Sequence, residues 1–205
     1  MQRFHHRQFA DVNALVALKK SQRVSVCIPT LNEADTIGPI VSTIRDALGN
    51  HGLVDEILVI DSNSTDATRE IAAAAGARVY QSSEIPPCGE AHLGKGENLW
   101  KALHVASGDL ICYVDGDISS FHPGFITGLV GPLLTDPEID YVKAYYERPL
   151  AYGDEFHSTG GGRVSGASCT SGLRPAGGRC GPRSRRRSRS RWCRDRSEEH
   201  TSELQ

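Results

Sequence analysis

Leu110–Ile118 read LICYVDGDI, and the fold turns on how this stretch is taken. A short apolar run, rich in Ile, Tyr and Val, that stops abruptly in two carboxylates has the pattern of a buried strand ending at a functional edge. With the chain extended throughout, Asp115 and Asp117 would share a face, because alternate residues of a strand point the same way. Two acids held together repel one another, and a divalent cation with oxygen ligands is the usual remedy. A solvated Asp-Gly turn after a strand fits the same residues. What lies around them decides between a binding edge and a plain turn.

Upstream, Val24–Ile28 is a mostly apolar run closed by Pro29, a strand followed by a turn. A helix is expected from Asn32-Glu33-Ala34-Asp35, with Asn32 as N-cap, the acids at its positive end and Ile37, Ile40, Val41 and Ile44 as its buried stripe. Glu56–Ile60 is a second strand running into DSNSTDAT. Ser64 or Thr65 can cap the next helix, Asp66 suits its first turn, and Gly76 ends it. Arg78–Gln81 is a short third strand. Strand, helix, strand, helix, strand with short joints specifies an α/β fold, a mostly parallel, Rossmann-like sheet flanked by helices. Ligands bind at the carboxyl ends of such strands. PTLNE, DSNST and VDGDI all fall there, so three polar clusters distant in sequence are expected to share one crevice.

Between the third strand and the acid pair, Pro86, Pro87 and Gly89 mark a loop, and Gly94-Lys95-Gly96-Glu97-Asn98 leads into a helix ended by Gly108. A lysine between glycines at a helix N-terminus suits a diphosphate: the glycines allow close backbone approach, and the helix end and ammonium supply positive potential. A surface turn explains the same residues, and the GxxxxGK[ST] phosphate loop is absent. Downstream, His122-Pro123 starts a helix carrying Phe125, Ile126, Leu129, Val130 and Leu133, and Ile139–Tyr146 has the alternation of a strand. Ser158–Arg163 sets consecutive glycines beside an arginine, either a cradle for a small phosphorylated or carboxylated acceptor or a flexible linker.

The net charge of −2 hides a split. Residues 1–162 hold 12 Lys+Arg against 21 Asp+Glu, and residues 163–205 hold 11 Arg against 4 acids. After Val164 the only large aliphatic residues are Leu173 and Leu204, too few to offset the entropy of ordering the segment. An Arg/Ser-rich nucleic-acid arm is one reading of it. The preferred one is that residues 165–205 are a disordered tail foreign to the protein: their composition is that of a GC-rich gene translated out of frame, and RSEEHTSELQ has the look of a translated adapter oligonucleotide. Of six cysteines, Cys27 and Cys112 sit in apolar strands as small hydrophobes, and no disulfide framework or zinc spacing emerges. Neither a signal peptide nor a membrane span is found, so the expected location is cytoplasmic. Asp11 opens a short amphipathic helix ending in Lys19 and Lys20, which makes residues 1–22 a helical extension. His5 and His6 are not read as metal ligands, since adjacent residues do not face one another on a helix or strand.

Taken in order, VCIPTLNEADTIG, EILVIDSNSTDAT, GKGENLWKAL, VDGDI, FHP, GPLL and VKAYYERPL resemble the GT-A nucleotide-sugar glycosyltransferases, and among these the glucosyl-3-phosphoglycerate synthases most closely. The opening FHH and the GGGRV segment extend the resemblance over about Phe4–Val164. It implies a GT-A domain over residues 23–164, incomplete at its C-terminus, and a retaining transfer of glucose from UDP-glucose to 3-phosphoglycerate. It further implies that Pro29, Leu31, Glu33 and Ser62 line the uridine site, that Lys95 reaches the diphosphate, and that Asp115 contacts the ribose side. Asp117 would hold Mg²⁺ or Mn²⁺ on the diphosphate oxygens, and Gly162, Arg163 and Ser165 would bind the acceptor. The family usually has DSD where this chain has Asp115-Gly116-Asp117, and threonine where Ser165 stands. It also takes a second metal ligand, a histidine, from a C-terminal region this chain does not contain, so an inactive or weakly active fragment is expected. A homodimer is implied by the family alone. A polyprenyl-phosphate glycosyltransferase of the same fold and a non-catalytic UDP-sugar-binding fragment are the alternatives. The acid excess of residues 1–162 speaks against a nucleic-acid partner.

Overall fold

Val24–Thr30 forms β1, the strand on which the sheet is built. A computed structural model describes residues 2–85, 95–144, 147–152, 155–161 and 166–169. β1 is buried nearly throughout and continues through Pro29, past the expected stop at Ile28. Pro29 is tolerated because its φ suits an extended chain and the strand is about to end. Before it lies α1 (Val12–Lys19), capped by the Asp11 carboxylate, which accepts from the Ala14 N–H at 3.1 Å. After it come α2 (Ala34–Ile44), β2 (Glu56–Asp61), α3 (Thr68–Ala75) and β3 (Arg78–Gln81). Gly76 closes α3 at φ 107°, a left-handed conformation that favours glycine.

The chain then returns through α4 (Lys95–Val105) to β4 (Leu110–Tyr113), which pairs with the opposite side of β1. All three neighbour pairs among β3, β2, β1 and β4 are parallel. The direction of winding therefore reverses between β1 and β4, which opens a crevice at their carboxyl ends. Beyond β4, the helix α5 (Gly124–Thr135) leads to β5 (Tyr141–Lys143), a shorter strand than the expected Ile139–Tyr146. β6 (Glu147–Tyr152) and β7 (Glu155–Gly161) form a separate antiparallel hairpin. β8 (Gly166–Cys169) lies antiparallel between β4 and β5. The sheet thus continues past residue 165, where a structureless tail was expected to begin; backbone pairing onto β4 needs no large aliphatic side chain. The remainder of that tail, residues 170–205, lies outside the described residues.

Strand residues alternate between two apolar layers. Val24, Val26 and Ile28 face Ile37, Ile40, Val41 and Ile44 of α2 and Ile126, Leu129 and Val130 of α5, with Phe9 and Leu15 at the margin. Cys27, Leu58, Ile60 and Ile111 face Ala102 and Ala106 of α4. Burial pushes the Cys27 and Cys112 thiols well above their ordinary value, so both act as apolar filler. No helix among the described residues is long and apolar enough to cross a membrane.

Residues His6–Phe9 make a turn of 3-10 helix whose His5 and His6 rings stack at 4.5 Å. His5 is the extended N-cap and His6 the first turn residue, so the helix or strand geometry that would turn adjacent side chains apart does not apply to this pair.

Candidate functional site

The acid pair does not lie on a strand. β4 ends at Tyr113, the Val114 N–H makes one last bond to the Cys27 carbonyl at 3.1 Å, and Asp115–Asp117 form a turn. Strand alternation therefore does not set their directions. Asp115 is half-buried and Asp117 is exposed. What fixes the turn is Gly116, which is buried against the end of β1 and the loop after it: a Cβ there would come within 3.1 Å of Thr30 Cγ2, 3.3 Å of the Pro29 carbonyl and 3.5 Å of Glu33 Cγ. The serine usual in the family could fit only if these neighbours shifted by a few tenths of an ångström. From the other side, the Thr36 hydroxyl of α2 donates to the Gly116 carbonyl at 2.6 Å.

The loop after β1 is shaped by long-range partners rather than by capping. Asn32, expected as the N-cap of α2, sits at φ 56°, a left-handed conformation that asparagine tolerates better than most residues. Its side-chain oxygen instead accepts from the Thr65 N–H at 2.9 Å, while its own N–H donates to Ser64 Oγ at 2.8 Å. Glu33 takes the N-cap position without a side-chain cap, and its N–H donates to Thr68 Oγ1 at 2.8 Å. Leu31 is 54% exposed, a large apolar side chain presented at the crevice edge.

Beneath both loops lies Asp61, fully buried at the end of β2. Its carboxylate accepts from the Ser64 N–H at 2.8 Å, from the Ser64 hydroxyl and from the Thr30 hydroxyl at 3.1 Å, with Arg69 Nε 3.9 Å away. A buried carboxylate needs such partners to remain in place. Ser64 and Thr65, expected to cap α3, thus tie the β2 loop to the β1 loop, and α3 starts later, at Thr68. Asp66 accepts from the Thr68 hydroxyl, the Thr68 N–H and the Ala34 N–H at 3.3 Å. Hydrogen bonding from the Thr68 hydroxyl holds the Asp66 carboxyl below its ordinary value.

Ser62 follows directly. Its N–H donates to the Thr30 carbonyl at 2.9 Å, and its hydroxyl accepts from Asn98 Nδ2 at 2.5 Å. Asn98 also donates to the Ile60 carbonyl at 3.2 Å, which links α4 to the end of β2. Lys95 is the first residue of α4, three positions before Asn98, so the helix opens beside this junction; its side chain is outside the described groups. Gly162, Arg163 and Ser165, the expected acceptor residues, lie outside the described residues.

Pro29 at the end of β1, and Leu31, Glu33, Ser62, Asp115 and Asp117 on the segments that follow β1, β2 and β4, therefore all lie at the carboxyl ends of these strands. Asp61, Asn98 and Thr36 were not singled out from the sequence. The only signals for them were an acid closing an apolar run and polar residues in the first turns of two helices.

Among the described residues there is no group of three or more His, Cys, Asp or Glu side chains that could enclose a metal. Mg²⁺ and Mn²⁺ do not require one: Mg²⁺ characteristically takes one or two carboxylates and completes its shell with water and substrate phosphate oxygens. An exposed Asp117 beside a half-buried Asp115 fits that habit.

The glycosyl transferase family 2 profile matches residues 25–179. The chain is 48% identical over 165 residues to the glucosyl-3-phosphoglycerate synthase of Petrotoga mobilis, covering 79% of this chain and 51% of that protein. It is 42% identical over 163 residues to the enzyme of the same name from Mycobacterium tuberculosis H37Rv, covering 78% and 50%. It thus spans about half the length of the curated relatives it matches. Among solved structures, that of the Mycobacterium tuberculosis enzyme with Mn²⁺, UDP-glucose and phosphoglyceric acid superposes with a TM-score of 0.62 at 42% identity, covering 66% of this chain and 48% of the other. Mannosyl-3-phosphoglycerate synthase from Rubrobacter xylanophilus gives 0.66 at 40% identity, covering 71% and 47%. With its parallel GT-A-like sheet, its loops converging at the switch point and the profile match across most of its length, the chain belongs to glycosyl transferase family 2.

Proposed function

We propose that the crevice at the carboxyl ends of β1, β2 and β4 binds UDP-glucose through a divalent cation, and that the chain carries the donor-binding half of a retaining glucosyl-3-phosphoglycerate synthase. The observation that carries this reading is the packing of Gly116 against Pro29, Thr30 and Glu33, which sets the acid turn directly against the loop that the family resemblance assigns to uridine. The Ser62–Thr30 and Ser62–Asn98 bonds support the same reading, since they hold Ser62 at that loop.

In this account Pro29, Leu31, Glu33 and Ser62 receive the uridine, and Asp115 the ribose. Asp117 holds Mg²⁺ or Mn²⁺, and Lys95 at the opening of α4 meets the diphosphate with both its charge and the helix end. When bound, the cation supplies Lewis-acid stabilisation of the departing diphosphate. Gly162, Arg163 and Ser165 belong to the acceptor in the same account. A cytoplasmic location and a homodimer complete the proposal, the latter tested by sedimentation of the chain.

The test has two steps. Calorimetric titration with UDP and with GDP in Mn²⁺ is expected to favour UDP; a preference for GDP would select a mannosyl donor, the reading that similarity to the Rubrobacter xylanophilus enzyme favours. A hybrid carrying the remaining half of the Petrotoga mobilis relative is expected to glucosylate 3-phosphoglycerate. Transfer to a polyprenyl phosphate instead would overturn the acceptor assignment.

A further inference from the structure

The turn that carries Asp115 and Asp117 is held unequally on its two sides. On one side Gly116 packs on Pro29, Thr30 and Glu33. On the other, beyond Asp117, the chain borders a cavity of about 310 Å³ lined by Asp35, Thr36, Pro39, Ile40, Ile118 and Phe121 among others. Ile118 and Ser119, which follow the turn directly, line this cavity, so packing restrains the chain leaving the turn less than it restrains Gly116. The Gly116 carbonyl accepts from the Thr36 hydroxyl, at 2.6 Å and across 80 positions of sequence. Thr36 is itself fixed in the first turn of α2, its N–H donating to the Glu33 carbonyl at 3.2 Å. The Thr36 hydroxyl therefore joins the segment that carries Glu33 to the turn that carries both acids.

Resting on the donor-site reading above, we propose that Thr36 is a positioning residue: its hydroxyl latches the acid turn to α2 and so couples occupancy of the nucleotide loop to metal binding at Asp117. Without the latch, water from the adjoining cavity satisfies the Gly116 carbonyl. The fold survives, but the acids are no longer held at one distance from Glu33. Positioning of a ligand carboxylate by a neighbouring hydrogen bond commonly changes metal affinity by about 10-fold or more.

The test compares Thr36→Val, which keeps the shape and removes the hydroxyl, with Thr36→Ser, which restores it. Hydrogen exchange of the 114–118 segment without ligand is expected to quicken in T36V and to return towards the native rate in T36S. UDP affinity with and without Mn²⁺ then gives the metal-dependent gain. T36V is expected to reduce that gain about 10-fold, with metal-free UDP affinity within about twofold and T36S close to native. A role confined to stability would instead lower the melting temperature and leave the gain intact. Unchanged exchange in T36V would overturn the latch. Quickened exchange with an undiminished gain would overturn the coupling. If the native chain shows no metal-dependent gain, the donor-site reading fails, and the exchange result alone reports whether the latch exists.

Discussion

Both ends of the sheet enclose a buried acid, but at the carboxyl ends the exposed Asp117 accompanies it. At the amino ends, Glu56 is closed off: one carboxylate oxygen accepts from the Ser25 hydroxyl at 2.5 Å, the Ser107 N–H at 2.6 Å and the Ser107 hydroxyl at 2.9 Å, and the other lies 3.2 Å from Arg78. Gly108 seals the arrangement, its N–H donating to Ser25 Oγ at 2.8 Å. At the carboxyl ends, Asp61 is equally enclosed, but above it Asp117 is turned to solvent and Leu31 is left exposed. The same strands carry both ends, so strand chemistry does not make the difference. An acid whose oxygens are all engaged by the fold serves the fold; an acid held in place through its backbone, with its carboxylate outward, is available to a ligand.

The largest expected effect breaks the closed end. In Gly108→Ala the added Cβ would lie 2.7 Å from the Ser25 nitrogen and 2.9 Å from the Arg23 carbonyl, both backbone. Chemical denaturation should show a loss of about 3 kcal/mol, while Mn²⁺-dependent UDP binding by the folded fraction stays native. Weakened binding at native stability would reverse the roles assigned to the two ends.

Asp61→Asn sharpens the contrast, because Asp61 is a closed acid at the open end. Its amide nitrogen would face the donors of Ser64 and Thr30, at a cost of about 2 kcal/mol. Stability and UDP affinity should fall together, since both loops rest on it; a fall in only one would separate fold from site.

Glu56→Gln should cost about 1.5 kcal/mol near neutral pH, and the cost should depend on pH. Burial acts to raise the Glu56 carboxyl, but hydrogen bonds from Ser25 and Ser107, with Arg78, outweigh it and hold it below its ordinary value. The unfolded chain therefore takes up the proton first as pH falls, so the stabilisation is complete above the ordinary glutamate range and is lost as pH drops through the lowered folded value. Melting curves of native and E56Q protein should converge in acid; a gap that widens there would contradict the network.

The smallest effect is expected for Gly116→Ser, which restores the residue usual in the family. Thr30 and Pro29 must give slightly, at about 1 kcal/mol or less, and metal-dependent UDP binding should persist because both acids keep their register. Loss of that binding would mean that this chain has repacked around glycine.

Much of the sheet was legible because its strands are continuous apolar runs between turn residues, and β3 and the end of α3 at Gly76 fall where expected. Asp115 and Asp117 were misread as strand because Val114 and Ile118 prolong the apolar pattern. β4 ends at Tyr113 all the same, and Gly116 needs room against the end of β1. Asn32 has the local features of an N-cap, yet Thr65 offers its oxygen a partner 33 positions away. Asp61, Asn98 and Thr36 escaped notice for the same reason: their bonds to Thr30, Ser62 and Gly116 span 31, 36 and 80 positions, and no local period records such pairs.

The central claim is that the open acid turn makes a metal-dependent nucleotide site. Calorimetric titration of UDP into native and Asp117→Asn protein, each with Mn²⁺ and with chelator, tests it most directly. The account predicts that Mn²⁺ tightens binding to the native chain, that D117N removes about 10- to 100-fold of that gain, and that the melting temperature is unmoved. Equal UDP affinity with metal and with chelator in the native chain, or a D117N protein that responds to Mn²⁺ as the native one does, would contradict it.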